Sequence, residues 1–499
     1  MVPLTHPSQR GDAVLGTLAG LLLLVAIAVS YLPGQAAVPP IDRDEPRYTQ
    51  ATKQMVETGD YVRIRFQEAP RHKKPVGIHW LQAAAVGVSG AGADAPLWVY
   101  RLPSLIGAIA ALFLGVWVAR AFLPWPLAVT AAALFGATII VGVEARLAKT
   151  DAVLLASILA AQGALARLWL RDAPGRGLAV LFWAALGVGT LVKGPLAPMV
   201  CGLTIAALAI IDRRRLFAKL RPLMGLAIVA AICLPWFVAI FRATDGTFFS
   251  TALGRDFFGK AAGGQEGHGA PPLVHLAFFF AVAWPLAPFA VAAVWRAVRQ
   301  RTDAVIFAFA WAVPSWIVFE LTPTKLPHYT LPLLPAIAIA AVATLASVGA
   351  PRPLRLLAAV MIVATPLTVA AAAPVILAQL SGIGAQSAAL LENFPLALAL
   401  ALMAFALVAA GVAAHGIWRG ASLVCARVVA PTLAAAVVAQ SVVWGIALPG
   451  FAPVWISTRL VAEAERISPC PAPRLASVGG YNEPSMIFLA GTEPALVTA

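Results

Sequence analysis

Apolar runs of about 20 residues recur along almost the whole chain, each long enough to cross a bilayer. The first is Ala13 to Leu32; twelve more lie near 98–120, 124–141, 151–170, 177–194, 196–211, 223–241, 273–295, 303–321, 331–348, 355–377, 395–418 and 423–448. In lipid every backbone polar group must find its partner within the chain, and the period-two alternation of a membrane barrel is absent. The pattern therefore predicts an all-α polytopic membrane protein with about 13 transmembrane helices. The first run is longer than a signal-peptide core and reads as an uncleaved anchor. The segment Ile78 to Gly90 is apolar but too short to span, which suits a re-entrant or interfacial helix.

One polar stretch breaks this pattern. Ile41 to Gln82 carries 14 charged residues in a chain that is only 12% charged, and it follows the first apolar run directly. Within it, Tyr48, Ala51, Thr52 and Met55 fall on one helical face. Pro46 suits a first turn and Gly59 a stop, so a short amphipathic helix along the membrane surface is expected. Asp44 stands at its start, either as a helix cap or as a reactive carboxylate, with Arg47 one turn on as a possible ion-pair partner. Lys73-Lys74-Pro75 precedes the next short helix. There the cations either meet an anion together with free backbone N–H groups or reach out to lipid headgroups.

Composition sharpens the class. The chain is 61% hydrophobic with mean hydropathy +0.85, and its formal charge is +14. With the N-terminus inside, the inner loops hold 17 basic and four acidic residues, leaving 19 basic and 18 acidic residues outside. The basic excess is thus an orientation signal, not a nucleic-acid footprint. Nearly all carboxylates lie outside, and the short outer loops are dense in chemistry: Glu144 to Asp151, Lys193 to Pro195, and Thr324 to Tyr329. The longer loop 242–272 adds Lys260 and His268. Charges at membrane depth are costly and face cavities, so several at one face point to a single polar cavity. The four cysteines, Cys201, Cys233, Cys425 and Cys470, have no metal-ligand spacing and imply neither disulfide nor zinc site.

After Leu448 the chain leaves the membrane on the outer side. Arg459, Glu463, Glu465 and Arg466 fall at helical spacing, and Leu475 to Val478 followed by Gly-Gly reads as a strand and turn. A small α/β domain begins there, and the sequence is expected to be truncated at Ala499. No internal repeat is visible.

Asp44-Glu45-Pro46-Arg47-Tyr48, then Gly59-Asp60-Tyr61-Val62, then Lys74-Pro75 with Trp80-Leu81-Gln82, resemble the first outer loop of the ArnT/PMT-type glycosyltransferases of the GT-C superfamily. Glu144-Ala-Arg146 through Thr150-Asp151, Lys193-Gly194-Pro195, Gly259-Lys260 with Gly264 to Gly269, and Lys325 to Tyr329 resemble that family in the same order. The departure is His72-Lys73, where relatives often carry an aromatic and an acid; it bears on position 73 and not on Lys74. The resemblance implies a GT-C transmembrane catalytic domain over 1–448, with outer (periplasmic) loops at 33–97 and 242–272, and the start of a C-terminal periplasmic domain at 449–499. It implies an enzyme of a bacterial inner membrane, N-terminus cytoplasmic, with active site and C-terminus periplasmic. Such enzymes take a sugar from a polyprenyl-phosphate donor and pass it, with inversion, to an envelope acceptor such as lipid A, lipopolysaccharide core or another surface glycan. Asp44 is then the expected general base, with Asp151 second; Asp151 is alternatively a sugar ligand, a partner of Arg146 or a helix cap. Lys74, Lys260, Arg146 and Lys325 are the expected ligands of phosphate or sugar charge. Arg47, Tyr48, Glu144, Lys193, His268, His328 and Tyr329 are expected to complete the substrate pocket. Lys193 alternatively reaches the interface, and His328 and Tyr329 alternatively pack at the membrane boundary. Asp-rich ligand pairs are missing, so no obligatory metal or other cofactor is expected.

Three other readings remain beside it. A protein O-mannosyltransferase-like activity on Ser/Thr differs only in acceptor. A lipid-linked-sugar flippase would place charge at mid-membrane and often shows repeat symmetry, which this chain lacks. A scaffold for an envelope complex leaves the outer-face charges without a purpose.

Overall fold

The computed structural model describes residues 7–173, 175–211, 216–252, 254, 269–381, 395–468, 475–478, 481–492 and 495–497. Lys260 and His268 lie outside them. Helices dominate. α1 (Pro7–Ser30) leads through a loop to α2 (Asp44–Thr58). A two-stranded antiparallel hairpin follows, pairing Arg65 with Pro70 and Phe66 with Ala69. Next come α3 (Gly77–Ser89), α4 (Leu97–Ala119), α5 (Trp125–Gly136), α6 (Ile139–Glu144), α7 (Asp151–Leu170), α8 (Arg176–Lys193), α9 (Leu196–Ile211), α10 (Leu216–Leu220) and α11 (Pro222–Ala243).

Nine helices among the described residues are long and apolar enough to cross a membrane, so the chain is a multi-pass membrane protein. The count of thirteen expected from hydropathy is not reached by that measure. Gly16–Ser30, Trp125–Gly136, Leu196–Ile211 and Leu286–Ala297 are apolar but shorter. Two of these shortfalls have a visible cause. The expected span 124–141 is divided between α5 and α6 at Ala137 and Thr138. The span 273–295 is interrupted around Trp284 and Pro285, between Val274–Val282 and Leu286–Ala297, where proline lacks the N–H a continuous helix needs.

The bundle is centred on α4, α7 and α8, packed side by side. Lipid offers helices no hydrophobic drive to associate, so they rely on close contact through small residues. Gly107 of α4 shows this: a Cβ there would lie 2.9 Å from the α7 backbone at Ala152 and Val153. Gly77 plays the same part for α3, where a Cβ would meet the Leu191 carbonyl oxygen of α8 at 2.7 Å. The short apolar segment at 78–90 is thus a helix seated against the end of α8, stopped by Gly90 at φ 69°.

α2 forms as its pattern predicts, with Tyr48, Ala51, Thr52 and Met55 all buried and Gly59 in the left-handed region closing it onto the Met55 carbonyl. It is not a helix lying open on a membrane surface, however. Glu45, Thr49, Gln50, Lys53 and Gln54 are buried too: Glu45 meets Arg101, Lys53 pairs with Asp94, Gln54 bonds the Gln67 backbone of the hairpin, and Gln50 donates to Thr492 in the segment 481–492. Either side of that segment in the chain, the strands Ala476–Val478 and Ala495–Val497 pair in parallel, with the helix Pro484–Ala490 between them in sequence.

The start of α2 is fastened by one buried ion pair. Glu45 Oε1 and Oε2 accept from Arg101 Nε and NH2 at 2.8 and 2.9 Å, both side chains fully buried. The rest of the Arg101 guanidinium donates to the carbonyls of Gly34, Gln35, Val38 and Pro39, while Glu45 also accepts the amides of Ile41 and Ala148. A loop, α2 and the segment before α7 therefore meet on one bidentate pair. Arg101→Met leaves Glu45 buried without its cation and should cost about 3–5 kcal/mol. A clear fall in the apparent Tm of the detergent-solubilised protein is expected; an unchanged Tm would contradict this account.

Candidate functional site

The termini of α6, α7 and α8 meet beside α2 and bring a charged cluster together. Glu144 ends α6, Asp151 begins α7 and Lys193 ends α8. Lys149 Nζ donates to Glu144 Oε1 at 2.9 Å, and Lys193 Nζ donates to Asp151 Oδ1 at 2.5 Å. His328 Nε2 stands 3.9 Å from the same Asp151 oxygen. All of these side chains are buried or nearly so. Tyr48 approaches from α2: the charges of Asp44, Asp151, Arg71 and Lys149 all act on its phenol. Asp44 also acts on Lys149, so it belongs to the rim of this cluster, and it is the exposed carboxylate of the set.

Neither aspartate is a helix cap. The residue before each helix is Arg43 or Thr150, and no side-chain capping bond is made at either. The two differ in availability. Asp151 is buried and held by Lys193, whereas Asp44 is open to an incoming group.

Electrostatics separate the two acids of the α6–α7 loop. Burial pushes the Glu144 carboxyl up to about 7 against the pull of Lys149, and its Oε2 has no hydrogen-bond partner among the described residues. Burial works against the Lys149 ammonium, yet Glu144 and Asp151 beside it hold its pKa above the ordinary lysine value. Burial also raises the Tyr48 phenol far above its usual range. Under Tyr48, His79 Nδ1 pairs with Thr52 Oγ1 at 2.8 Å, with ring centroids of Tyr48 and His79 5.6 Å apart. Burial and then the nearby Arg71 lower the His79 pKa to about 3, so it is a neutral support. The Arg71 guanidinium lies 5.1 Å above the other component of this stack, the Tyr48 ring.

The remaining expected residues divide. Lys74 is half-buried ahead of α3, and Arg47 is half-buried on the first turn of α2. Arg146 does not join the cluster as a charge ligand. It is fully buried, its guanidinium donates to the carbonyls of Pro33, Gly142 and Ser30, and it lies 5.1 Å over the Trp444 ring. Lys325 likewise donates to the carbonyls of Glu320 and Thr322 at 2.7 Å each, closing the helix Asp303–Leu321. Both cations therefore have structural partners already. Tyr329 packs among His328, His275 and Phe319, with centroids 5.2, 6.0 and 6.2 Å away. Three residues that sequence reasoning passed over belong with the site: Arg71, Lys149 and, beneath them, His79. Lys149 lies inside the quoted loop motif, and its position two residues before Asp151 was the available signal. No group of three or more His, Cys, Asp or Glu residues placed to hold a metal ion occurs among the described residues.

The arrangement is a polytopic helical bundle whose outer-loop helices and span ends converge on a mixed cluster of carboxylates and ammonium groups. Solved structures share it. A crystal structure of ArnT from Cupriavidus metallidurans bound to undecaprenyl phosphate superposes with TM-score 0.76 at 20% identity, covering 98% of this chain and 86% of that one. The Archaeoglobus fulgidus oligosaccharyltransferase in the apo form gives TM-score 0.55 at 13% identity, covering 95% and 64%. In sequence, residues 73–238 match the family model described as dolichyl-phosphate-mannose-protein mannosyltransferase. That range includes Lys74, Glu144, Asp151 and Lys193, and stops short of Asp44.

Curated relatives named undecaprenyl phosphate-alpha-4-amino-4-deoxy-L-arabinose arabinosyl transferase are 27% identical over 329 residues in Pseudomonas aeruginosa strain UCBPP-PA14. The counterpart in Edwardsiella ictaluri strain 93-146 is 26% identical over 337 residues. Each alignment covers 64% of this chain and 58% of the relative. In sequence and in fold, then, the chain is similar to the ArnT/PMT-type GT-C glycosyltransferases, as its motifs indicate.

The raised Glu144 carboxyl has a measurable consequence. Between about pH 5 and 7 the folded chain keeps a proton there that an unfolded chain releases, so this group's contribution to stability falls as pH rises through that window. Glu144→Gln should flatten the corresponding decline in apparent Tm between pH 5 and 7.5. A decline identical in wild type and variant would contradict the assignment.

Proposed function

We propose that this chain is an inverting glycosyltransferase acting on a polyprenyl-phosphate-linked sugar at the outer (periplasmic) face of a bacterial inner membrane, with both the C-terminal segment and the site on that side and the N-terminus cytoplasmic. The observation that carries the reading is the convergence of Asp44, Tyr48, Lys149, Asp151 and Lys193 at one end of the bundle, carboxylates and ammonium groups together where the spans emerge. The relatives' names supply the donor class.

The chemistry follows from the division of groups. Transfer with inversion needs an acceptor oxygen aligned behind the anomeric carbon, a base for its proton, and cations for the departing phosphate. Asp44, exposed at the start of α2, suits the base: it takes the proton as the new C–O bond forms and the bond to phosphate breaks. Asp151, tied to Lys193, suits orientation of the sugar or of its cationic neighbours. Lys149 and Arg71 beside Tyr48, together with Lys74 ahead of α3, would stabilise the phosphate monoester anion as it leaves. A phosphate monoester leaves as a stable anion, so the scheme calls for no acid partner, metal or other cofactor. The acceptor would be a hydroxyl or phosphate of an envelope glycolipid such as lipid A or lipopolysaccharide core, or of another surface glycan. Membrane lipids, the lipid-linked sugar and this acceptor are the partners; nucleic acid is not among them.

The test is a transfer assay in proteoliposomes with polyprenyl-phosphate-sugar donors and outer-envelope glycolipid acceptor. Wild type should transfer, and a folded Asp44→Asn should lose roughly 10²- to 10⁴-fold in kcat, the range of a lost general base. Transfer that survives Asp44→Asn would remove Asp44 from that role. Movement of the donor across the bilayer without any transfer would contradict the transferase reading itself.

A further inference from the structure

The turn that presents Asp44 is held from two sides, and one side is supplied by the far end of the chain. On the bundle side, the Ile41 amide donates to Glu45 Oε2 at 2.9 Å, and Glu45 is locked to Arg101. On the other side, the Ser485 amide donates to Asp42 Oδ1 at 2.9 Å and the Ser485 hydroxyl to Asp42 Oδ2 at 2.6 Å. Both carboxylate oxygens of Asp42 are therefore engaged by one residue more than 440 positions away. Asp44 lies between these two fastenings with its own carboxylate exposed.

Counting protons gives the Ser485 contact a direction. Ser485 Oγ also lies 2.5 Å from Ser457 Oγ, which lies 2.8 Å from the Tyr481 hydroxyl. The Ser485 hydroxyl uses its proton on Asp42, so Ser457 donates to Ser485, and Tyr481 donates to Ser457. Three hydroxyls in one chain, with Ser457 and Ser485 buried, polarise one another toward the carboxylate. This is more than a segment needs merely to rest on α2. The same segment has a separate attachment further along the helix, where Thr492 Oγ1 donates to Glu57 Oε2 at 2.7 Å and accepts from Gln50 at 2.8 Å.

We propose that Ser485 is a positioning residue for Asp44: through Asp42 it fixes the turn 42–44, so that the C-terminal segment sets the placement of the reactive carboxylate. The catalytic half of this statement rests on the transferase reading above. A displacement of about 1 Å in a reacting group is enough to lower a rate strongly. The effect should therefore fall on kcat and leave donor binding, which uses other residues, in place.

The experiment uses the full-length chain in proteoliposomes, with Ser485→Ala, Ser485→Thr and Thr492→Val. Ser485→Ala should lower kcat on the order of tenfold with donor KM within about twofold. Ser485→Thr, which keeps the hydroxyl, should restore most of it, and Thr492→Val should keep kcat close to wild type. Equal kcat losses in Ser485→Ala and Thr492→Val would assign the effect to docking of the segment as a whole and overturn the proposal. Hydrogen exchange over residues 41–48 is the second measurement, and it does not depend on activity. Faster exchange there in Ser485→Ala, with α7 unchanged, supports the clamp; unchanged exchange overturns it. If wild type shows no transfer, the transferase reading fails and the exchange result alone decides the clamp.

Discussion

The bidentate contact between Glu45 and Arg101 is the constraint on which the outer face of this molecule depends. Burying both charges is costly, and it is tolerated because every remaining donor and acceptor is filled by backbone: four carbonyls of the loop after α1 and two amides, one at Ile41 and one at Ala148. Three chain segments that share no secondary structure are thereby fixed to α4. One of them begins α2, with Asp44 and Tyr48; another carries Lys149 and leads into Asp151. The geometry of the candidate site is thus inherited from an ion pair that does not itself belong to it.

The cations of the outer face fall into two groups. Arg146 and Lys325 are engaged chiefly by backbone carbonyls, and Arg101 fills the donors beside its Glu45 pair with four more. Lys149 and Lys193 face carboxylates instead, and these pairs lie where α6, α7 and α8 end together. An arginine with five donors suits the first task and a lysine, as a compact point charge, the second. Lys325 crosses that division, because a single ammonium can also close a helix end.

Much of this was legible in the sequence. Hydropathy gave the helical membrane class, and the face of Tyr48, Ala51, Thr52 and Met55 with the Gly59 stop gave α2 almost residue by residue. The motifs around Asp44, Glu144, Asp151, Lys193 and His328 named residues that the fold does bring together, although 42 positions separate Asp151 from Lys193 in the chain. Other features were not legible, for physical reasons. Arg146 sits in the same motif as Glu144, and nothing in a linear pattern says whether a guanidinium will meet carbonyls or a ligand. The burial of the polar side of α2 depends on Arg101, Asp94, Gln67 and Thr492, partners that lie from 13 to 442 positions away and leave no local pattern. Broken spans such as 273–295 look continuous by hydropathy, since an interruption at Pro285 changes the hydrogen bonding and not the polarity.

The central claim is that this outer cluster receives a lipid-linked phosphate. It is tested most directly by the affinity of the purified protein for a polyprenyl monophosphate, with wild type, Lys74→Gln and Lys74→Arg compared in the same detergent. The account predicts saturable binding by wild type, weakened roughly tenfold or more in Lys74→Gln, the loss expected when a charged hydrogen bond to the anion is removed, and largely kept in Lys74→Arg. Equal affinity in wild type and Lys74→Gln, or no binding by any of the three, would contradict it.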